Sequence, residues 1–524
     1  MGEERDLDMV PGRPAFDLLE REWIPVRRGT SVSWVGLREL FTQAHDIDDL
    51  AVSIPPAAAA LWRVLHALAA RITGLAPSDP AEHPSTDDWL NRRFHLLDPA
   101  EAGSGRFAPE AIESYFAQHA EAFDLFGPRP WMQEPALAQQ CPAPSGINKL
   151  VFGRPTGNNQ VWFGHFTDQR PEPIRTRDAV LHLLIQHYYG PAGKCTARTV
   201  NGARFSNSTK GILRSTLSYH PLGNTLFESL LAGLPAPVGN PEQELDLCPW
   251  ERAEPADPLG LPPRPSWPGG LLTGRSRHAV LLCPDATGEH VVDAYVTWAW
   301  RQPAAEVPDP YLIYQLSKDN NLYGRPAKVE RSLWRDLDAL LRSTSTSSAQ
   351  PQRPTAFATL AELPEEVRAR LRVRAYGFDQ DGQTREKRWF SSVTPPVLNW
   401  LEKNNPRIPH QIGLLRERAE AVGTRLEAVL ARAWQQVLDT TDRKKRGPWP
   451  ERAAQFYWPA AEEEFWARLR AEKIETSATA FRALAHRAIN SVLSEAEGTK
   501  PAVVKALAAA RRNFDNPQWG KENR

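Results

Sequence analysis

Cysteine is scarce in this chain, with four in 524 residues, and methionine is scarcer still, with three. Cys141, Cys195, Cys248 and Cys283 never fall within two to four residues of one another, the spacing of a zinc knuckle or ribbon, so no structural metal is expected. A net charge of one sign is missing too, since 63 Lys and Arg balance 63 Asp and Glu. No apolar run reaches the ~20 residues of a membrane span. The longest, near Pro55 to Leu75, is broken by Arg63, His66 and Arg71 and reads as a core helix. Met1 to Val10 is rich in acids and has no apolar stretch of signal-peptide length, so a reducing cytoplasm is the expected setting. No repeat period is visible.

Enzyme motifs are equally sparse. The thirteen histidines include no His-Glu-x-x-His pair, and there is no Gly-x-Ser-x-Gly elbow. The segment Gly190-Pro-Ala-Gly-Lys-Cys-Thr196 contains the Gly-Lys pair of a phosphate loop. Tyr188 stands where a Walker loop needs its first glycine, and Cys195 where it needs a hydroxyl. Glu462, Glu463 and Glu464 are consecutive, so on a helix they point to several faces and are most often solvated. No catalytic residue, metal ligand or cofactor is therefore assigned. A divalent-metal-dependent nuclease whose carboxylates meet only in space stays an alternative, as does a purely structural scaffold.

Proline (47) and tryptophan (18) are plentiful, implying long irregular connections around a large core. The length exceeds one core, and two domains are expected. Residues 385–524 hold 25 basic against 17 acidic side chains, or +8, which leaves −8 for the remainder. A basic end suits approach to a polyanion, although a helical face that merely happens to be basic accounts for it too. Strand patterns around Trp23 to Val26, at His278 to Leu282 and at Val291 to Trp300 alternate with a helix from about Pro56 to Thr73. The proline-dominated stretch Ala232 to Gly270 is either packed by its own Trp and Leu residues or a flexible excursion, and Ser343 to Thr355 reads as a surface loop.

After about Trp389 the character turns helical. Leu415, Ala419, Val422, Leu426, Val429, Ala433 and Val437 recur every three or four residues, one apolar face over six turns. Helical patterns follow at Pro450 to Glu472, Ser477 to Leu493 and Pro501 to Phe514. The expected fold is α+β, with a large mixed α/β N-terminal globular domain over residues 1–390 and a C-terminal four-helix bundle over 391–524. Arg443, Lys444, Lys445 and Arg446 sit at a helix–helix connection.

Two features suit binding better than catalysis. Arg372 to Phe378 alternates like a strand and Asp381-Gly382 supplies a two-residue turn, with Gln380 and Gln383 beside it and Arg385, Lys387 and Arg388 behind. Amide side chains above a cationic stem fit insertion between bases, and an exposed soluble hairpin is the bland alternative. The small residues of Gly190 to Lys194 let backbone approach a narrow groove, or form an ordinary helix C-cap.

In order and spacing, Phe16-Asp-Leu-Leu with Trp23-Ile-Pro-Val26, Arg129-Pro-Trp-Met-Gln133, the glycine loop after Tyr189, the Asp-Gly hairpin and the final Ala508-Ala-Ala-Arg-Arg-Asn-Phe514 resemble the CasA family, the large subunits of type I-E CRISPR Cascade complexes. The resemblance spans nearly the whole chain. It implies a non-catalytic subunit that recognises a protospacer-adjacent motif in duplex DNA through the minor groove, wedges the duplex open to start the R-loop and helps recruit a helicase-nuclease. Its partners would be CRISPR RNA, double-stranded target DNA and the backbone, handle-binding and small subunits of Cascade, with no membrane. By that resemblance Gly190, Pro191, Ala192, Gly193 and Lys194 are the motif-reading loop, and Gln380, Asp381, Gly382 and Gln383 the wedge, with either glutamine entering the duplex. A loop of Asn148, Phe152, Arg154 and Asn158 would meet the RNA 5′ handle and neighbouring subunits. Arg301 would replace a lysine used for groove contact, while the mid-chain cysteine cluster of some relatives is missing. Arg385, Lys387, Arg388 and the cluster 443–446 would add phosphate contacts.

Overall fold

The computed structural model describes residues 14–155, 164–236, 244–327, 332–342, 351–381, 385–401, 403, 407–471, 474, 476–495 and 500–516. The chain forms two compact units, Met1–Val329 with Thr344–Asn399, and Glu330–Ser343 with Trp400–Arg524.

The first unit is built around the helix Pro55–Ile72, in which every residue is buried. Two prolines open it, where their missing N–H costs nothing. The two arginines and the histidine that interrupt its apolar run are accommodated inside the core. Arg63 pairs with Asp309 at 2.8 Å, and Arg275 reaches the same carboxylate at 3.0 Å. Arg71 meets Glu251 at 2.9 Å and Asp246 at 3.1 Å. His66 stacks on Tyr311 with ring centroids 5.0 Å apart. Asp246 and Glu251 lie in the proline-rich stretch, whose described part is thus packed: Trp250 is buried and carries a short helical turn, Pro249–Glu251.

Several small sheets complete this unit. Ile24–Arg28 pairs with Ser31–Val35 and Asp49–Leu50. His278–Pro284 pairs with His290–Trp298 and, through it, with Ile174–Arg175. A third sheet runs Arg385–Val393, Arg372–Asp381, Leu217–Leu222, all antiparallel. Trp389 therefore belongs to a strand, and the helical part starts later than its sequence pattern implied, at Arg407. The alternation of Arg385–Val393 is satisfied by pairing with the preceding strand, which overrides any local helical preference.

In the second unit four helices, Arg407–Val437, Trp449–Arg470, Thr479–Glu495 and Pro501–Asp515, pack as a bundle. Leu415, Ala419, Val422, Leu426, Val429 and Ala433 are all buried, as the period required, while Val437 at the end of the helix is half-buried. Gly423 permits close approach, because a Cβ there would lie 2.5 Å from the Trp458 ring. Arg425 donates to the carbonyl oxygens of Phe514 (2.6 Å) and Asn513 (3.0 Å), closing the end of the last helix. The segment Leu333–Leu341 joins this unit: Arg416 binds Asp338 at 2.8 Å and Trp334 packs on Phe465. The mixed α+β class and the C-terminal helical bundle are as expected.

Candidate nucleic-acid interface

The helix Thr176–Tyr189 ends at Gly190, and a strand, Gly193–Val200, begins three residues later. Gly190 is buried. A Cβ on it would lie 2.5 Å from the His278 ring, so packing alone demands glycine there. His278 Nε2 donates to the Pro191 carbonyl at 3.1 Å, and the Gly190 carbonyl accepts from Gly211 N at 2.8 Å. Burial pushes the pKa of His278 down to about 4, so the neutral ring holds the loop at pH 7. Pro191 and Ala192 are half-buried in this clamp. Gly193 and Lys194 are exposed instead, and Gly193 has φ +122° with open space where a side chain would stand. Close backbone approach to a ligand is thus available at Gly193 and not at Gly190.

The strand pairs with Ala203–Ser208, which sets Lys194 opposite Asn207. Arg301 donates to the Asn207 carbonyl at 3.2 Å, and its guanidinium lies over the Phe205 ring at 4.1 Å. Two cations from distant parts of the sequence, Lys194 and Arg301, are brought to one hairpin by Phe205 and Asn207. Neither Phe205 nor Asn207 was singled out by the sequence. Their only signal is the polar, turn-punctuated run Asn201-Gly-Ala-Arg-Phe-Ser-Asn207 after the glycine loop.

The second hairpin is anchored at its base. Gly377 is needed because a Cβ would run into the carbonyl of Thr216, the residue just before the adjoining strand. Arg374 forms an ion pair with the fully buried Asp49. Asp379 pairs with Arg388 and Gln380 with Glu386, so Lys387 is the extra residue of a bulge, a device that re-aims a strand. Asp381 pairs with Arg385 and is a strand residue, not the first residue of a two-residue turn as expected; the ladder simply runs further. Gly382 and Gln383 lie outside the described residues, so of the two glutamines Gln380, half-buried, is the one placed.

Of the loop expected to meet RNA, Asn158 also lies outside the described residues. Asn148 is buried, donating to Asp168 at 3.0 Å and accepting from Arg154 at 3.4 Å, while Arg154 covers the Phe166 ring at 4.1 Å. These two residues clasp the loop together. Phe152 stacks on Trp389 of the second hairpin, with centroids 5.8 Å apart and planes 29° apart. Its amide donates to His182 Nδ1 at 3.2 Å, an acceptor role open only to a neutral ring, in keeping with a pKa lowered by burial to about 4. In the bundle, Arg443, Lys444, Lys445 and Arg446 are exposed between helices, with Arg446 paired to Glu427 at 3.1 Å. Among the described residues no group of His, Cys, Asp or Glu side chains gathers as metal ligands, and no helix is long and apolar enough to cross a membrane.

The sequence profile of CRISPR-associated protein Cse1 matches residues 17–496. This chain belongs to the Cse1 (CasA) family. It is 29% identical over 338 residues to the CRISPR-associated protein CasA/Cse1 of Thermus thermophilus, a match spanning 62% of this chain and 60% of that protein's length. Among solved structures, it resembles a chain of a CRISPR RNA-guided surveillance complex with 41% identity and a TM-score of 0.83, over 96% of this chain and 100% of that one. Thermus thermophilus CasA (Cse1), 21% identical, shares the fold with a TM-score of 0.71 over 97% of this chain and 99% of its own. Thermobifida fusca Cse1, 20% identical, does so with 0.69 over 96% and 97%.

Proposed function

We propose that this Cse1 chain is the non-catalytic large subunit of a type I-E CRISPR Cascade complex, acting in the cytoplasm, where it reads a protospacer-adjacent motif through the minor groove of duplex DNA and starts strand separation. The observation that carries this reading is one hairpin on which Gly193 and Lys194 are exposed and Lys194 stands opposite Asn207, whose carbonyl Arg301 binds. Backbone without a side chain fits a narrow groove, and cations at the same hairpin fit the phosphates that flank it. The likeness to a chain of an RNA-guided surveillance complex supports the same reading.

The work is divided between protein and guide. Base pairing with CRISPR RNA reads the long target, and the protein reads only the short flanking motif. Minor-groove reading separates A·T from G·C mainly by the guanine amino group, so several motifs should be accepted. Unstacking one base step costs a few kcal/mol, which a glutamine wedge at Gln380 or Gln383 and new phosphate contacts from Arg385, Lys387 and Arg388 offset. The loop around Phe152 would meet the RNA handle and neighbouring subunits, the basic turn 443–446 the displaced strand, and the finished R-loop would recruit the helicase-nuclease.

The test is motif-dependent binding of duplex DNA by the reconstituted complex. Lys194→Glu is expected to weaken it at least about tenfold, or 1.4 kcal/mol, and to flatten its salt dependence. A pure scaffold predicts unchanged binding, and a nuclease predicts cleavage of labelled DNA by the purified chain in Mg²⁺ or Mn²⁺.

A further inference from the structure

The hairpin of Gly193–Val200 and Ala203–Ser208 is bulged just behind the end that carries Gly193 and Lys194. Gly193 pairs with Ser208 and Lys194 with Asn207, and the next pair is Arg198 with Phe205, so three residues of one strand face one of the other. The bulge is tied down on both strands. Thr297 Oγ1 donates to the Thr196 carbonyl at 2.6 Å, and Trp298 Nε1 donates to the Phe205 carbonyl at 3.1 Å. The pair Lys194 and Asn207 thus projects from a fixed base, which precise placement of a side chain needs.

Asn207 is exposed, and Arg301 fixes which way its amide faces. Nη1 of Arg301 donates to the Asn207 carbonyl at 3.2 Å and lies 3.5 Å from Oδ1. A guanidinium carries donors only, so the amide atom turned toward it is the oxygen, and Nδ2 is turned away. Arg301 is itself held flat, over Phe205 at 4.1 Å and over Trp298 at 5.3 Å. The cation also polarises the amide, which strengthens Nδ2–H as a donor. One step along the ladder from the side-chain-free backbone of Gly193, the hairpin therefore offers a hydrogen-bond donor of set direction.

We propose that Asn207 is a specificity-determining residue for the flanking motif, donating from Nδ2 to an acceptor on the floor of the minor groove and disfavouring a G·C pair at that position. This rests on the minor-groove reading of the hairpin proposed above. In that groove an A·T pair of either orientation presents acceptors only, adenine N3 and thymine O2, whereas a G·C pair adds the guanine amino donor. Two donors that meet leave both unpaired, and the loss falls on that base pair alone. Lys194, a flexible point charge, supplies affinity rather than choice.

Competition binding by the reconstituted complex, against duplexes carrying every sequence at the flanking positions, tests it. Asn207 is exposed, so its variants are expected to fold and assemble. In Asn207→Ala the preference for A·T over G·C at one position should fall by about tenfold, or 1.4 kcal/mol, with preferences at the other positions unchanged. Asn207→Asp, of the same shape but accepting only, should weaken binding of every duplex through its charge and shift that one position toward G·C. A preference profile in Asn207→Ala that matches the wild type overturns the assignment. So does a uniform weakening of every duplex, which would make Asn207 a phosphate contact, or an A·T preference that persists in Asn207→Asp. These outcomes leave the minor-groove reading standing. A wild-type complex with no flank preference at all overturns that reading, and the role of Asn207 with it.

Discussion

Gly190 and Gly193 stand three positions apart and do different work. At Gly190 a methyl group would meet the His278 ring at 2.5 Å. Gly190→Ala is therefore expected to cost about 1–3 kcal/mol, the range for overpacking, visible as a lower urea midpoint with an unchanged slope. A glycine kept for packing and one kept for backbone access look alike in a sequence. The resemblance named the whole loop as a reading element, and only tertiary neighbours separate the buried Gly190 from the exposed Gly193 and Lys194. Asn148 shows the same ambiguity: an asparagine in a loop reads as a contact residue, yet here its amide closes the loop onto Asp168.

Among elements, the bundle was the most legible part, because its apolar period is local and needs no distant partner to be recognised. The hairpin Arg372–Asp381 with Arg385–Val393 was legible as a hairpin and less so in register, since the bulge at Lys387 and the extension to Asp381 depend on cross-strand pairing. Its third strand, Leu217–Leu222, was not legible at all. All six residues are buried, and a sequence of Leu-Ser-Tyr-His-Pro-Leu carries no alternation. The Phe152–Trp389 stack, formed between residues far apart in the chain, was equally hidden. It joins the loop around Phe152 to the hairpin, and a double-mutant cycle with Phe152→Leu and Trp389→Leu should give a coupling of about 0.5–1.5 kcal/mol in unfolding free energy. Strict additivity would mean that the two elements do not support each other.

For the whole molecule the buried histidines set an acid limit. Burial lowers the pKa of His66 to about 3 and those of His182 and His278 to about 4, and lowers His187 and His220 as well. The unfolded chain binds protons near pH 6.5 that the folded chain refuses, so stability is full above that pH and falls as pH drops toward 4. His278 alone accounts for about 3 kcal/mol over that window. Urea midpoints measured from pH 7.5 to 4.5 should decline steadily, and a flat profile would contradict the neutral, buried rings. In the proposed role, binding groups open a duplex without reacting with it. Permanganate reactivity of thymines beside the flanking motif, in duplex held by the reconstituted complex, tests this directly. Replacing Gln380 and Gln383 together with alanine should leave initial binding within about threefold, less than 1 kcal/mol, while removing most of that reactivity; full reactivity in the double variant would contradict the account.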